Sequence, residues 1–177
     1  MPLKSTPERY GTVPIAIHWL SALAVIFMLA SGQLLGNAAD ADLVARILPV
    51  HVVLGLTVGL LTLLRIVWWL AFDRHPVPPP GQPAAQAMAA RLVHLGLYGA
   101  ILVMVASGIG MLALTGAAPQ IFGGGALPDF RAAPPSAVHG LMGRLLLLLV
   151  LGHVAAALYH QFIRRDRLLA RMWPQDS

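Results

Sequence analysis

The sequence predicts an all-α membrane protein, a bundle of four transmembrane helices built as one domain over residues 1–177. Three observations predict it. First, 58% of the residues are hydrophobic and 11% are charged, whereas a soluble domain carries roughly a quarter charged residues. Second, the apolar residues fall into four runs, at about 15–36, 48–71, 92–114 and 137–163. Each reaches the roughly 20 residues that a helix needs to cross the hydrocarbon core. Inside lipid a single segment must satisfy its own backbone groups, which makes it helical. Third, the Lys and Arg residues sit mainly between and beyond the runs. The net charge of +5 therefore reads as membrane topology and lipid contact, with no nucleic acid implied. The absence of cysteine excludes disulfides, iron–sulfur clusters, thiolate zinc sites and covalently attached c-type haem.

Along the chain, MPLKSTPERYGTVP lacks a compact apolar core and a small-residue cleavage site, so it reads as a short tail and not a signal peptide. Pro14 suits the first turn of a helix, where its missing N–H costs nothing. Residues 37–47 form a short connection with Asp40, Asp42 and Arg46. Residues 72–91 are proline-rich, so no continuous helix can run before about Ala84, although 84–91 could lead helically into the third span. Residues 115–135 are rich in Gly and Pro and read as a partly folded cap over one mouth of the bundle. Trp19, Trp68 and Trp69 lie near span ends, as interfacial aromatics do. No internal repeat stands out. Eight basic residues (Lys4, Arg9, Arg74, Arg91, Arg164, Arg165, Arg167 and Arg171) fall on one side and two (Arg46 and Arg131) on the other. The positive-inside rule then puts both termini in the cytoplasm.

Histidine within a membrane span is costly and marks function. His139 and His153 are 14 residues apart and His160 follows 7 later, so all three share nearly one face of a straight helix. At helical rise the first two are separated by roughly 21 Å. Depth sorts the ligand candidates into two levels: His51 with His139 near the outer face, His18 with His153 near the inner face. Two imidazoles facing each other across a bundle suit the two axial positions of a b-type haem. The alternative is that these histidines only hydrogen-bond between helices. The separation argues against one shared zinc site. Gly32, Gly36, Gly55, Gly59, Gly140, Gly143 and Gly152 give room for a porphyrin or for close helix packing.

Arg65 follows His51 by 14 residues on the same face; it could neutralise a haem propionate or snorkel to the interface. Arg144 could serve the outer level in the same way. His94 and His160 lie at the cytoplasmic ends of their spans, where a quinone ring can reach, and imidazoles there could hydrogen-bond its carbonyl and carry protons. His94 could instead be an interfacial residue or replace His18 as a ligand. His75, in the proline-rich loop, reads as solvated.

IHWL at 17–20, HVVLG at 51–55 followed by LLRIVWWL, HLG at 94–96, and His139 with His153 and AAALYH in the last span resemble the bacterial cytochrome b561 family over nearly the whole chain. These are four-helix membrane proteins enclosing two b-type haems. The resemblance implies a bacterial inner-membrane oxidoreductase with two haem b, His18 and His153 binding the inner one and His51 and His139 the outer one. It is nearest to members that take electrons from superoxide outside and pass them to ubiquinone near the inner haem, with His94 and His160 in the quinone-contacting positions and part of 84–88 beside them. Residues 115–135 depart from that pattern in carrying Arg131 as their only cation. Another reading of the same residues is a membrane-anchor cytochrome b subunit that relays electrons between a periplasmic partner enzyme and the quinone pool. A transporter with no redox role is a third.

Overall fold

The computed structural model describes residues 2–78 and 81–173. Among them there is no strand, and four helices are long and apolar enough to cross a membrane. These are α1 (Thr12–Asn37), α2 (Ala41–Val67), α3 (Ala84–Thr115) and α5 (Pro135–Leu158), with the short α4 (Ala118–Gly123) between the last two. Helix α1 packs chiefly on α2 and α3 on α5, and α2 joins the two hairpins by packing on α3. The buried core is thin, centred on Val25, Val58, Ala100, Ile101 and Leu146. Leucines such as Leu60, Leu95, Leu148 and Leu151 point outward. Lipid is as apolar as leucine, so close approach at small residues holds such a bundle together. Gly59 is an example: an added Cβ would lie 3.0 Å from Val105 Cγ1.

The sequence places the start of the second span at Leu48, but α2 begins at Ala41. The Asp40 side chain accepts from the Asp42 backbone N–H at 2.9 Å and caps the helix. The helix then runs through Pro49, forfeiting one backbone bond. Helix α3 starts at Ala84, so the lead-in is helical. It stops at Gly116, whose φ of 63° ends the helix in the left-handed conformation. Beyond it, α4 and the turn Phe130–Ala132 form the cap, with Leu127, Asp129 and Arg131 lining a cavity in the bundle.

The opposite end carries both termini. There α2 and α5 each finish in a π turn, Trp68–Phe72 and Tyr159–Arg164. Arg171 clasps three segments together, donating to the carbonyls of Glu8, Pro7 and Val77. Asp73 ties the N-terminal tail to the end of α2, accepting from Ser5 N–H and hydroxyl and from the Trp68 indole. After the second π turn, Arg165 and Arg167 adopt φ of 55° and 58°, a left-handed conformation that costs a non-glycine residue about 1–2 kcal/mol.

Candidate functional site

At the capped end His51 of α2 faces His139 of α5, ring centroids 6.4 Å apart and planes at 63°. The hydrogen bonds around them fix their tautomers. His139 Nδ1 lies 3.1 Å from the Met104 carbonyl and 3.1 Å from Ser107 Oγ. A carbonyl can only accept, so Nδ1 carries the proton and Nε2 keeps its lone pair. His51 Nδ1 lies 2.9 Å from Ser31 Oγ, and that hydroxyl gives its one proton to the Met28 carbonyl at 3.2 Å. The Ser31 oxygen is then left to accept from Nδ1–H. Both imidazoles present a free Nε2, the form in which neutral histidine binds a metal. They open on a cavity of about 720 Å³, a size usual for cofactor pockets. Gly32, Gly36, Gly55 and Gly140 line it, as do Arg131 and Arg144.

Two metal–imidazole bonds of about 2 Å, plus the offset of each ring nitrogen from its own centroid, add up to roughly the observed separation. The pair therefore fits the two axial positions of one haem iron. Among the described residues no three His, Asp or Glu side chains converge as a bare metal ion would need. The candidate glycines divide by position. Gly32 lies under His51, whose Cε1 would be 3.5 Å from an added Cβ, and Gly36 and Gly140 meet nothing within 4 Å. Gly59 serves helix packing against Val105, and Gly143 faces Met104.

At the other end His18 of α1 faces His153 of α5 at 6.3 Å and 66°, nearly the geometry of the first pair. Here the surroundings differ. Arg65 Nη1 donates to His18 Nδ1 at 3.0 Å. Arginine has no acceptor, so Nδ1 holds the lone pair and neutral His18 carries its proton on Nε2. Binding iron through Nε2 then requires Arg65 to release His18. The Arg65 Nε is buried with no hydrogen-bond partner among the described residues, and its guanidinium stands 5.9 Å from the Tyr98 ring. A buried cation with an unspent donor suits an anionic group such as a haem propionate.

His94 of α3 is also at this level, 5.4 Å from His153. The sequence places it just beyond the inner pair; the structure puts it beside that pair. His160 lies in the π turn that ends the last span. It is buried, with Nε2 2.8 Å from the Gln86 amide and Nδ1 2.5 Å from Asp166 Oδ2. His75 stacks on Trp69, ring centroids 3.8 Å apart, and burial, Arg65 and Asp73 together leave its pKa lowered, burial being the largest influence; the expected fully solvated histidine has one covered face.

Sequence reasoning missed Ser31, Ser107, Gln86 and Asp166. A signal for the serines was present. Residues 18–32 and 94–108 share His, Met, Ala, Ser and Gly at identical offsets, ending MLASG and MVASG. The shared residues do equivalent work: Ser31 and Gly32 cradle His51, while Ser107 and Gly108 cradle His139. In the same register Arg65 follows His51 by 14 residues, as His153 follows His139. The α1–α2 and α3–α5 hairpins are thus a degenerate repeat, in which the partner of one inner histidine is an arginine.

A profile of the family described as prokaryotic cytochrome b561 matches residues 9–175. The chain is 30% identical to "Cytochrome b561 homolog 2" of Escherichia coli (strain K12), covering all of this chain and 97% of that one. It is 34% identical to "Cytochrome b562" of Cereibacter sphaeroides, over 92% and 94% of the two chains. It is 28% identical to "Probable superoxide oxidase CybB" of Yersinia pestis, over 95% and 97%. With its four membrane-crossing helices and its facing histidines, the chain belongs to the prokaryotic cytochrome b561 family of bacterial membrane electron-transfer proteins, a family that binds b-type haem.

Proposed function

We propose that this protein is a di-haem cytochrome that moves electrons across the bacterial inner membrane, from a donor on the outer side to ubiquinone on the cytoplasmic side. The observation that carries this reading is the pair of cross-bundle histidine couples, separated by 6.4 Å at one end and 6.3 Å at the other. When bound, b-type haem supplies reversible one-electron transfer.

The chain's own residues do the rest. His51 and His139 would hold the outer iron through Nε2. Ser31, Ser107 and the Met104 carbonyl keep their Nδ1 protons in place and so orient the rings. His18 and His153 would hold the inner iron, with Arg65 released from His18 to neutralise a propionate. Arg131 and Arg144 beside the outer cavity favour a small anionic donor, and superoxide has that chemistry. His160 hydrogen-bonds the quinone carbonyl and supplies a proton, and His94 stands beside the inner couple, 5.4 Å from His153. Eight basic residues at the end with both termini, against two at the other, support termini in the cytoplasm.

The test combines spectra with rapid mixing. The purified protein is expected to show a b-type spectrum with two haems per chain, and mixing the oxidised protein with superoxide and a short-chain ubiquinone should yield quinol. A haem-free protein would contradict the reading. A di-haem protein that ignores superoxide but is reoxidised by quinone after chemical reduction would point to a membrane-anchor subunit fed by a partner enzyme.

A further inference from the structure

The C-terminal segment doubles back on the bundle in a way that packing alone does not require. Arg165 and Arg167 are both left-handed, and Asp166 lies between them. The double reversal turns the Asp166 carboxylate onto His160 Nδ1. Asp166 N–H also donates to the His160 carbonyl at 3.4 Å, and Oδ1 accepts from Leu168 N–H at 3.3 Å. Backbone strain held around a buried polar pair is a mark of function. The His160 side chain is 11% exposed and that of Asp166 is 23% exposed, so the pair runs from the bundle interior toward water.

From this we infer that Asp166 is the positioning partner that holds His160 for proton transfer in quinone reduction. The inference rests on the quinone reading above and deepens it. The groups around His160 among the described residues are Asp166 on Nδ1, Gln86 of α3 on Nε2, and the Tyr159 ring at 5.8 Å. Arg164, Arg165 and Arg167 are the neighbouring charges in sequence. Asp166 holds the imidazole in one orientation, as a carboxylate does for a catalytic histidine. Gln86 suits both protonation states, since its amide NH₂ donates to neutral Nε2 and its carbonyl, after rotation of the amide, accepts from Nε2–H.

The step balances as follows. The quinone takes two electrons, supplied through b-type haem, and two protons to become quinol. One of those protons leaves His160 Nε2, breaking that N–H bond and forming a quinol O–H bond. The Gln86 amide turns aside from Nε2 for this transfer, His160 is left neutral with Nδ1–H held on the Asp166 carboxylate, and water reaching Nε2 after the quinol leaves restores the proton. The second proton comes from water at the same mouth.

The test uses the full chain with both haems. The haems are reduced chemically and mixed with a short-chain ubiquinone, and their reoxidation is followed by absorbance. Asp166→Asn should slow reoxidation by about 100-fold without changing the KM for quinone. Asp166→Glu should recover the rate to within about tenfold, and added formate should speed Asp166→Ala but not the wild type. An Asp166→Asn protein that keeps the wild-type rate overturns the inference and leaves the quinone reading standing. Loss of haem from both Asp166→Asn and Asp166→Glu also overturns it, in favour of a structural role. A wild-type protein that ubiquinone does not reoxidise overturns both.

Discussion

The two histidine couples have nearly the same separation and opposite hydrogen bonding. At the capped end, serine hydroxyls and a backbone carbonyl hold Nδ1 as a donor, and each ring offers a free Nε2 to the cavity. At the end with the termini, a guanidinium donates to Nδ1 of His18, so that ring carries its proton on the nitrogen that would bind iron. The outer couple is set for ligation; the inner one must first exchange a partner. The difference follows from the degenerate repeat. Both halves keep the serine and glycine that serve the outer level, but the position 14 residues on is Arg65 in one and His153 in the other. The inner end thereby gains a cation bonded directly to one of its histidines, which the outer couple lacks among the described residues.

The sharpest way to break this comparison is to remove a ligand. His51→Ala and His139→Ala should each abolish the outer haem and leave the inner one, halving the haem per chain in a pyridine haemochrome assay. Loss of both haems from either variant would mean that the two ends are not independent sites. A smaller effect is expected from the serines. Ser31→Ala removes the side-chain partner that His51 Nδ1 has among the described residues and should weaken outer haem binding by about 10–100-fold, measured by haem titration of the apoprotein. Ser107→Ala should cost less, because the Met104 carbonyl still accepts from His139.

At the inner end, Arg65→Gln should lower the reduction potential of the inner haem by on the order of 50 mV, about 1 kcal/mol. A nearby cation favours the reduced state, and the outer potential should not move in the same redox titration. The smallest effect concerns the tie between tail and bundle. Burial alone would raise the pKa of Asp73, but bonds from Ser5, Trp68 and Arg74 hold it below its ordinary value of 3.8. A depressed carboxylate pKa stabilises the fold above the ordinary value and loses that contribution as pH falls through the folded one. Asp73→Asn should therefore lower thermal stability slightly at neutral pH and make no difference well below pH 3.8. Differential melting at the two pH values checks it.

Much of this was legible in the sequence. The four spans follow from apolar runs of bilayer length, and the two-level sorting follows from helical rise applied to His139 and His153. Other features were not. Periodicity assumes a straight α-helix, so it could not show the π turn at His160 or its bonds to Gln86 and Asp166. Residues 41–47 looked too polar for a span, and only the Asp40 cap reveals them as the first turns of α2. Hydropathy also treats Ser31 and Ser107 as unremarkable small residues. Their work becomes visible only when the cross-helix bonds are seen, although MLASG and MVASG were there to be compared.

The central claim is that His18, and not its repeat equivalent His94, pairs with His153. Haem content per chain in His18→Ala and His94→Ala tests it most directly. The account predicts one haem in the first variant and two in the second; two haems in His18→Ala with one in His94→Ala would contradict it.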